Sequence, residues 1–110
     1  MTNPIDIPPG TLELLILRTL ALRPAHGVGV ADRIRIVSGG AFAAGPGSLF
    51  PALRRLEDSG YIQGRWGESE NKRRARFYEI TDDGRKQLEE KKRHWLQILA
   101  AVSSVLDQEA

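Results

Sequence analysis

The chain has 110 residues, a formal net charge of +2 and no cysteine. This length predicts one domain with at most a small appended element, and the lack of cysteine excludes disulfides and thiolate metal sites. No apolar run is long enough to span a membrane, and the start of the sequence lacks a signal-peptide pattern. We therefore expect a cytoplasmic protein that does not contact membranes.

The basic residues are concentrated in the middle of the chain. Between residues 54 and 76 there are seven lysines and arginines against four acidic residues, whereas the rest of the chain is close to balanced. A local basic excess is typical of a nucleic-acid-binding surface. A run of charges is also common on an ordinary solvated face, so the elements that carry these residues decide between the two interpretations.

The first part of the chain predicts an arm followed by two helices. Residues 1–9 hold three prolines and are expected to form a flexible, extended arm. A helix over about Thr11–Leu22 follows, with Thr11 as its N-cap. A turn at residues 24–27 separates it from a second helix over about Val28–Val37.

A third helix is predicted over about Ser48–Ser59. Its inward stripe, at helical spacing, consists of Leu49, Leu53 and Leu56. With Ser48 as N-cap, Pro51 occupies the third helical position, where a missing N–H costs little. Gly60 is expected to end the helix.

A hairpin is predicted next, because Tyr61–Trp66 and Ala75–Ile80 are rich in aromatic and β-branched residues on either side of a polar loop. Phe77 and Tyr78 are adjacent, so only one of them can face the core. We interpret Trp66, at the base of the hairpin, as a packing residue.

The last helix, from Thr81 to about Leu106, carries an apolar seam. Its members, spaced as in a coiled coil, are Leu88, Trp95, Leu99, Val102 and Leu106. A helix of about 25 residues spans roughly 38 Å, which is longer than the preceding domain can cover. We therefore predict that the seam binds a second copy of the chain in a homodimer.

Three helices followed by a hairpin predict a winged helix-turn-helix, a mainly α fold of the α+β type. The predicted domain boundaries are residues 10–80 for this DNA-binding domain and 81–110 for the C-terminal dimerisation helix. The third helix is then the reading helix, and the loop Gly67–Arg74 is the wing.

The face of the third helix opposite its leucine stripe is the predicted DNA contact. The residues assigned to DNA are Gly47, Ser48, Pro51, Arg54 and Arg55 on this helix, and Lys72, Arg73 and Arg74 at the wing tip. Ser48 and the free N–H groups of the first turn suit a phosphate, and the arginines suit base edges or flanking phosphates. The alternative is a solvated helix face on which Arg54 pairs with Asp58.

Two other residues admit a functional and a structural interpretation. Trp95 is either a dimer-core aromatic or, with its copy, the wall of a slot for a flat aromatic effector. His26 is expected to serve the turn or a helix cap, because no second histidine or carboxylate lies at metal-ligand spacing. The sequence also lacks a nucleophile–base arrangement and a dinucleotide fingerprint. We therefore expect no metal, no cofactor and no enzymatic activity.

Three segments carry a family resemblance: TLELLILRTLALRPAHGVGVADRI (residues 11–34), GSLFPALRRLEDSGYI (47–62) and WGESENKRRARFYEITDDGRKQL (66–88). They resemble the PadR-type transcriptional regulators, in the short class with a single C-terminal helix. The resemblance implies a homodimeric winged-helix repressor that exchanges its C-terminal helices and releases DNA when a small, often aromatic, molecule binds. The family usually has tyrosine at Phe50, so a phosphate contact through that hydroxyl is not expected here.

Together these features predict a sequence-specific, DNA-binding dimer that represses transcription from an inverted-repeat operator. One alternative is a winged-helix module that binds another protein through its last helix, without sequence-specific DNA binding. A small hydrolase is a further alternative, and the missing nucleophile and metal spacings argue against it.

Overall fold

The computed structural model of the chain describes residues 5–109. Its elements, in chain order, are α1 (Thr11–Leu22), β1 (Ala25–His26), α2 (Gly27–Val37), α3 (Pro46–Asp58), β2 (Ile62–Glu68), β3 (Arg74–Ile80) and α4 (Asp82–Leu106). The strands form one antiparallel sheet in the order β1-β3-β2, and the first three helices pack with it around one core. The predicted winged helix-turn-helix with a long C-terminal helix is confirmed.

The core lies around α1, which contacts the other three helices and β3. Its side of the core consists of Leu12, Ile16, Leu17 and Leu20. Val30 of α2, Leu53 of α3 and Ile62 of β2 are fully buried against this face. Burying such apolar side chains is the main stabilisation available to a domain of this size.

The start of α1 differs from the prediction in its cap. Thr11 is the first helical residue, and Gly10 is the N-cap in the left-handed region, with φ 82°. Glycine reaches this conformation without the steric cost that a side chain imposes. The N–H of Thr11 donates to the carbonyl of Pro8 at 3.0 Å, so the turn before the helix fixes its entry.

The start of α2 confirms one prediction and corrects another. His26 is the N-cap, and its Nδ1 accepts the N–H of Gly29 at 3.0 Å, which confirms its capping role. Residues 25 and 26 do not lie in a turn, because they pair with Tyr78 and Phe77 of β3. A strand this short has too few residues to show a periodicity, and it forms because β3 offers an edge for pairing.

The predicted start of α3 is wrong. The helix begins at Pro46, with Gly45 rather than Ser48 as its N-cap, because proline is favoured at the first helical position. Pro51 therefore lies inside the helix, at the sixth helical position. Its missing N–H leaves the carbonyl of Gly47 without the donor that the helical ladder would supply.

The end of α3 is a Schellman motif around Gly60, which has φ 78°. The N–H of Gly60 donates to the carbonyl of Glu57, and the N–H of Tyr61 to that of Leu56, both at 3.0 Å. The C-cap is Ser59. This pair of hydrogen bonds needs a left-handed residue directly after the C-cap, and Gly60 supplies it. Gly60 thus ends the helix as predicted.

The hairpin is longer than predicted, with a continuous register from Ile62↔Ile80 to Glu68↔Arg74. Tyr78 is the aromatic residue of β3 that is buried in the core. Phe77 points to the opposite side of the strand, where its ring meets that of His26 edge to face, with centroids 5.4 Å apart.

The arm before α1 is attached to the loop that follows α2. Residues 1–4 of the predicted arm lie outside the described residues. The N–H of Ile5 donates to the carbonyl of Ala41 at 2.7 Å, and Ile5 forms a parallel bridge with Phe42. Ile7 packs against the core, so this part of the arm contributes to the fold.

The first turns of α4 are part of the domain, and its remainder is not covered by it. Thr81 is the N-cap, as predicted, and its Oγ1 accepts the N–H of Gly84 at 3.0 Å. Leu88 is 6% exposed, so it belongs to the core of its own chain rather than to the exposed seam for which it was predicted. Residues 92–102 are exposed.

A close contact fixes the direction in which α4 leaves the domain. The N–H of Thr81 donates to the carbonyl of Tyr61 at 3.0 Å, and Thr81 Oγ1 donates to the carbonyl of Gly60 at 2.7 Å. Gly84 lies so near Tyr61, the residue before β2, that a Cβ at position 84 would overlap the carbonyl oxygen of Tyr61. Any side chain at Gly84 would therefore push α4 away from the hairpin.

Gly84→Ala is expected to lower the free energy of unfolding by at least about 2 kcal/mol, because the added methyl group meets a backbone oxygen that cannot rotate away. Urea unfolding followed by circular dichroism measures this change. The matched control is Gly47→Ala in α3, where an added Cβ meets nothing within 4 Å and alanine is favoured over glycine by about 0.5–1 kcal/mol. Equal unfolding midpoints for Gly84→Ala and the parent would contradict the contact.

Candidate nucleic-acid interface

The outward face of α3 is open to solvent. Its inward side chains, at most 2% exposed, are Leu49, Ala52, Leu53 and Leu56. Helical periodicity then directs the residues predicted to contact DNA away from the core. All five of them are exposed: Gly47, Ser48, Pro51, Arg54 and Arg55.

The first turn of α3 offers fewer free N–H groups than predicted. Pro46 has none, and the N–H groups of Ser48 and Leu49 donate to the carbonyl of Gly45 at 3.1 and 2.9 Å. Of the N–H groups in this turn, that of Gly47 comes before the first backbone hydrogen bonds of the helix. The first turn is therefore a weaker anion site than the sequence predicted. Pro46 has no N–H group to donate, and the N–H groups of Ser48 and Leu49 already donate to Gly45.

The two arginines of α3 differ in their surroundings. Arg55 Nε donates to Glu13 Oε1 of α1 at 2.8 Å, and Lys91 Nζ of α4 lies 3.8 Å from the other oxygen of the same carboxylate. Within residues 5–109, Arg54 has no carboxylate partner, and it does not pair with Asp58. The charge of Arg54 is therefore uncompensated on the outer face of α3.

The wing is a short turn at residues 69–73. The N–H of Ser69 donates to the carbonyl of Arg73 at 2.8 Å, and Lys72 has φ 57°. Lys72 and Arg73 are exposed in this turn, as predicted. Arg74 is not in the loop, because it is the first residue of β3 and pairs with Glu68 of β2. The sheet therefore fixes the backbone of Arg74, whereas Lys72 and Arg73 lie beyond the paired strands.

Trp66 is 56% exposed, which corrects its interpretation as a packing residue. It lies opposite Arg76 in the strand register. The guanidinium carbon Cζ of Arg74 is 4.3 Å from the centroid of the indole ring, and that of Arg76 is 5.7 Å away. These are distances of cation–π interactions. The sequence signal for this cluster is the alternation of Arg74 and Arg76 along one strand beside an aromatic residue on the next.

Arg76 also joins the hairpin to α3. Its Nη2 donates to Glu57 Oε2 at 2.5 Å, and the same oxygen accepts the N–H of Gly64 at 3.2 Å. The hydrogen bond with Glu57 raises the pKa of Arg76, and burial raises the pKa of Tyr78 beside it. At neutral pH the guanidinium is charged and the phenol is neutral. No local pattern in the sequence marks Glu57 and Arg76 as partners, because their pairing depends on how α3 meets the sheet.

Phe50 is 48% exposed. It covers Gly27 so closely that a Cβ there would come 2.9 Å from the phenyl ring. A cleft of about 360 Å³ lies between these two residues and the hairpin residues Trp66 and Arg74. Aromatic rings and a guanidinium group thus line the space between α3 and the wing.

The exposed part of α4 carries a row of apolar side chains. Among the predicted seam residues, Trp95, Leu99, Val102 and Leu106 are all exposed. Lys92 lies between Leu88 and Trp95 on the same helical face and marks the point where the intramolecular core ends.

Among the described residues, the requirements of a metal cluster and of a membrane-spanning helix are not met. Residues 5–109 hold no group of three or more His, Cys, Asp and Glu side chains that could bind a metal ion. None of the helices in this range is both long enough and apolar enough to cross a membrane.

Comparison with known proteins gives the family. The sequence model of the Transcriptional regulator PadR-like family matches residues 16–90. The chain belongs to this family. The fold of a PadR-like regulator from Bacillus cereus superimposes with a TM-score of 0.75, at 30% identity over 91% of this chain and 95% of that one.

Two further solved structures of transcriptional regulators are similar. A transcriptional regulator from Clostridium thermocellum has a TM-score of 0.77 and 27% identity, over 84% of this chain and 89% of its own. A PadR family regulator from Clostridium difficile has a TM-score of 0.75 and 25% identity, over 88% and 99%. The chain is thus a PadR-like, DNA-binding transcriptional regulator. The family match ends at residue 90, just before the exposed part of α4.

Proposed function

We propose that the chain is a homodimeric repressor that binds an inverted-repeat operator through α3 and the wing. The observation that carries this proposal is a set of exposed basic side chains without a carboxylate partner in residues 5–109, namely Arg54, Lys72, Arg73 and Arg74. Phosphate contacts supply much of the affinity for DNA. Exposed cations that no acidic neighbour neutralises suit that role.

Within α3, we assign the reading of bases to Arg54 and a supporting role to Arg55. Arg54 is exposed and forms no ion pair with a carboxylate in residues 5–109, so its guanidinium is available for a guanine edge or a phosphate. Arg55 donates to Glu13 at 2.8 Å, which ties α3 to α1 and reduces the charge that it presents. The proposed contact surface of α3 also includes Gly47, Ser48 and Pro51.

The homodimer is supported by the apolar side chains of α4. Trp95, Leu99 and Val102 are 40%, 46% and 48% exposed, and no other element of the described chain covers this face. In water such a stripe is stabilised by burial against another apolar surface, and a second copy supplies a self-complementary one. A two-fold pair would present its reading helices about 34 Å apart, which requires an inverted repeat. Occupying such a site within a promoter blocks transcription.

A small aromatic effector is the second part of the proposal. Trp95 from each protomer would line a flat slot at the centre of the dimer, where stacking favours planar molecules. Release from DNA then requires that the effector bind more tightly to the dimer in which the two reading helices are wrongly spaced.

The DNA proposal is tested by selecting fragments of the source chromosome with the purified protein. On the selected duplex, Arg54→Ala is expected to weaken binding by about 1–3 kcal/mol and to reduce discrimination against mismatched sites. The matched variant Arg55→Ala is expected to cost less and to leave discrimination intact. Fluorescence anisotropy measures both. If neither the parent nor any variant prefers one duplex over another, the proposed function fails.

The dimer is tested by Leu99→Glu, which places a charge on the exposed stripe without touching the core. The parent is expected to have twice the chain mass of 12.2 kDa in light scattering at micromolar concentration, and Leu99→Glu the mass of one chain, because a charge in an apolar interface is costly. Gln97→Glu, on the opposite face of α4, is the matched control and should remain a dimer. A monomeric parent would contradict the proposed assembly.

The effector proposal predicts that a planar aromatic compound changes the fluorescence of Trp95. The titration uses a Trp66→Phe background, in which Trp95 is the remaining tryptophan of the two in the sequence. A saturable change is expected for at least one member of a panel of planar compounds, because stacking alters the environment of the indole. Emission that stays constant across the panel would rule out the slot.

A further inference from the structure

We propose that Trp66 is a positioning residue at the base of the wing, because its indole ring holds the guanidinium group of Arg74 in place to contact a DNA phosphate. The inference rests on the proposed function, and it adds a residue that sequence analysis assigned to packing. A tryptophan that is 56% exposed leaves much of its apolar surface in water, so core packing alone does not explain its presence.

The geometry gives the ring a partner. Arg74 Cζ lies 4.3 Å from the centroid of the indole, closer than the 5.7 Å of Arg76. Both strands are paired at this point, with Trp66 opposite Arg76 and Glu68 opposite Arg74. The sheet therefore fixes both backbones, and the stack fixes the end of the Arg74 side chain. A guanidinium that stacks on a ring keeps the N–H donors at its edge free.

The charges show which arginine is available. Arg76 donates to Glu57 on α3, and Arg55 donates to Glu13 on α1. Arg74 has no carboxylate partner in residues 5–109. Of these three arginines, Arg74 alone combines a restrained side chain with an uncompensated charge in the described structure.

Restraint matters because an arginine side chain loses rotamer freedom when it binds. Immobilising one such side chain at an interface costs about 0.5–1.5 kcal/mol, or roughly two- to tenfold in affinity. The stack with Trp66 already restricts the rotamers of Arg74 in the free protein, so less conformational entropy is lost when Arg74 binds DNA. Lys72 and Arg73, in the turn beyond the paired strands, have no such aromatic support among the described contacts.

The DNA experiment uses a labelled random duplex of about 30 base pairs, long enough for two successive major grooves, over a series of salt concentrations. Trp66→Ala is expected to weaken binding about three- to tenfold with an unchanged salt slope, since Arg74 still reaches the phosphate but must be ordered first. Arg74→Ala should weaken binding and also lower the slope by about 0.9, as one phosphate contact is lost. Trp66→Phe keeps an aromatic face and should bind within about twofold of the parent.

The double variant tests whether the two residues act together. In the Arg74→Ala background, Trp66→Ala should cause no further loss, because there is no guanidinium left to hold. Equal binding by Trp66→Ala and the parent would overturn the proposal, as would independent losses in the double variant or a Trp66→Phe variant as weak as Trp66→Ala. Arg65→Ala is the matched charge control, since Arg65 lies on the other face of β2. The change in DNA affinity that Arg65→Ala causes should be the same whether residue 66 is Trp or Ala.

A measurement without DNA separates this inference from the proposed function. In a Trp95→Phe background, Trp66 is the remaining tryptophan of the two in the sequence. Arg74→Ala should shift its emission, and Arg65→Ala should not. An unshifted emission overturns the stack even if DNA binding persists. A parent that binds no duplex overturns the role in DNA binding together with the proposed function. Trp66→Ala should keep the unfolding midpoint of the parent. If this variant does not fold, the DNA affinity of Trp66→Phe and the emission shift caused by Arg74→Ala decide whether the proposal stands.

Discussion

The contact between Gly84 and the carbonyl of Tyr61 sets the relation between α3 and α4. Gly60 ends α3, Tyr61 begins the path into β2, and Thr81 joins both to the start of α4 by hydrogen bonds of 2.7 and 3.0 Å. Because these bonds are made by backbone atoms or a short hydroxyl, the junction has little freedom. The angle at which α4 leaves the domain therefore depends on a few residues between α3 and the hairpin.

Acidic neighbours divide the arginines of this surface into two groups. Glu13 pairs with Arg55 and Glu57 pairs with Arg76, so these guanidinium groups hold α3 against α1 and against the sheet. Arg54 and Arg74 lack such partners within residues 5–109. A formal net charge of only +2 is therefore compatible with DNA binding, because compensation is local and leaves specific cations exposed. Charge counts along the sequence do not reveal this division, since each ion pair joins residues far apart in the chain.

The sequence predicted the features that depend on periodicity and missed those that depend on tertiary contact. The bounds of α1 and the cap at Thr81 follow from local patterns, as does the end of α3 at Gly60. The two-residue β1 was missed because it exists only through pairing with β3. Leu88 matches the spacing of the seam, but it lies in the core. It was wrongly assigned because a heptad pattern cannot distinguish an intramolecular partner from a second chain. The start of α3 was misplaced because Ser48 fits the N-cap preference, whereas the helix begins two residues earlier, at Pro46.

Glu13 has two cationic neighbours on different helices, Arg55 of α3 at 2.8 Å and Lys91 of α4 at 3.8 Å. Partly exposed ion pairs of this kind contribute about 0.2–1 kcal/mol each, which is comparable to thermal energy. The carboxylate therefore links the two helices electrostatically without locking them. Small tilts of α4 would lengthen the Lys91–Glu13 pair at little energetic cost, and Arg55 would then be the nearer of the two cations by a larger margin.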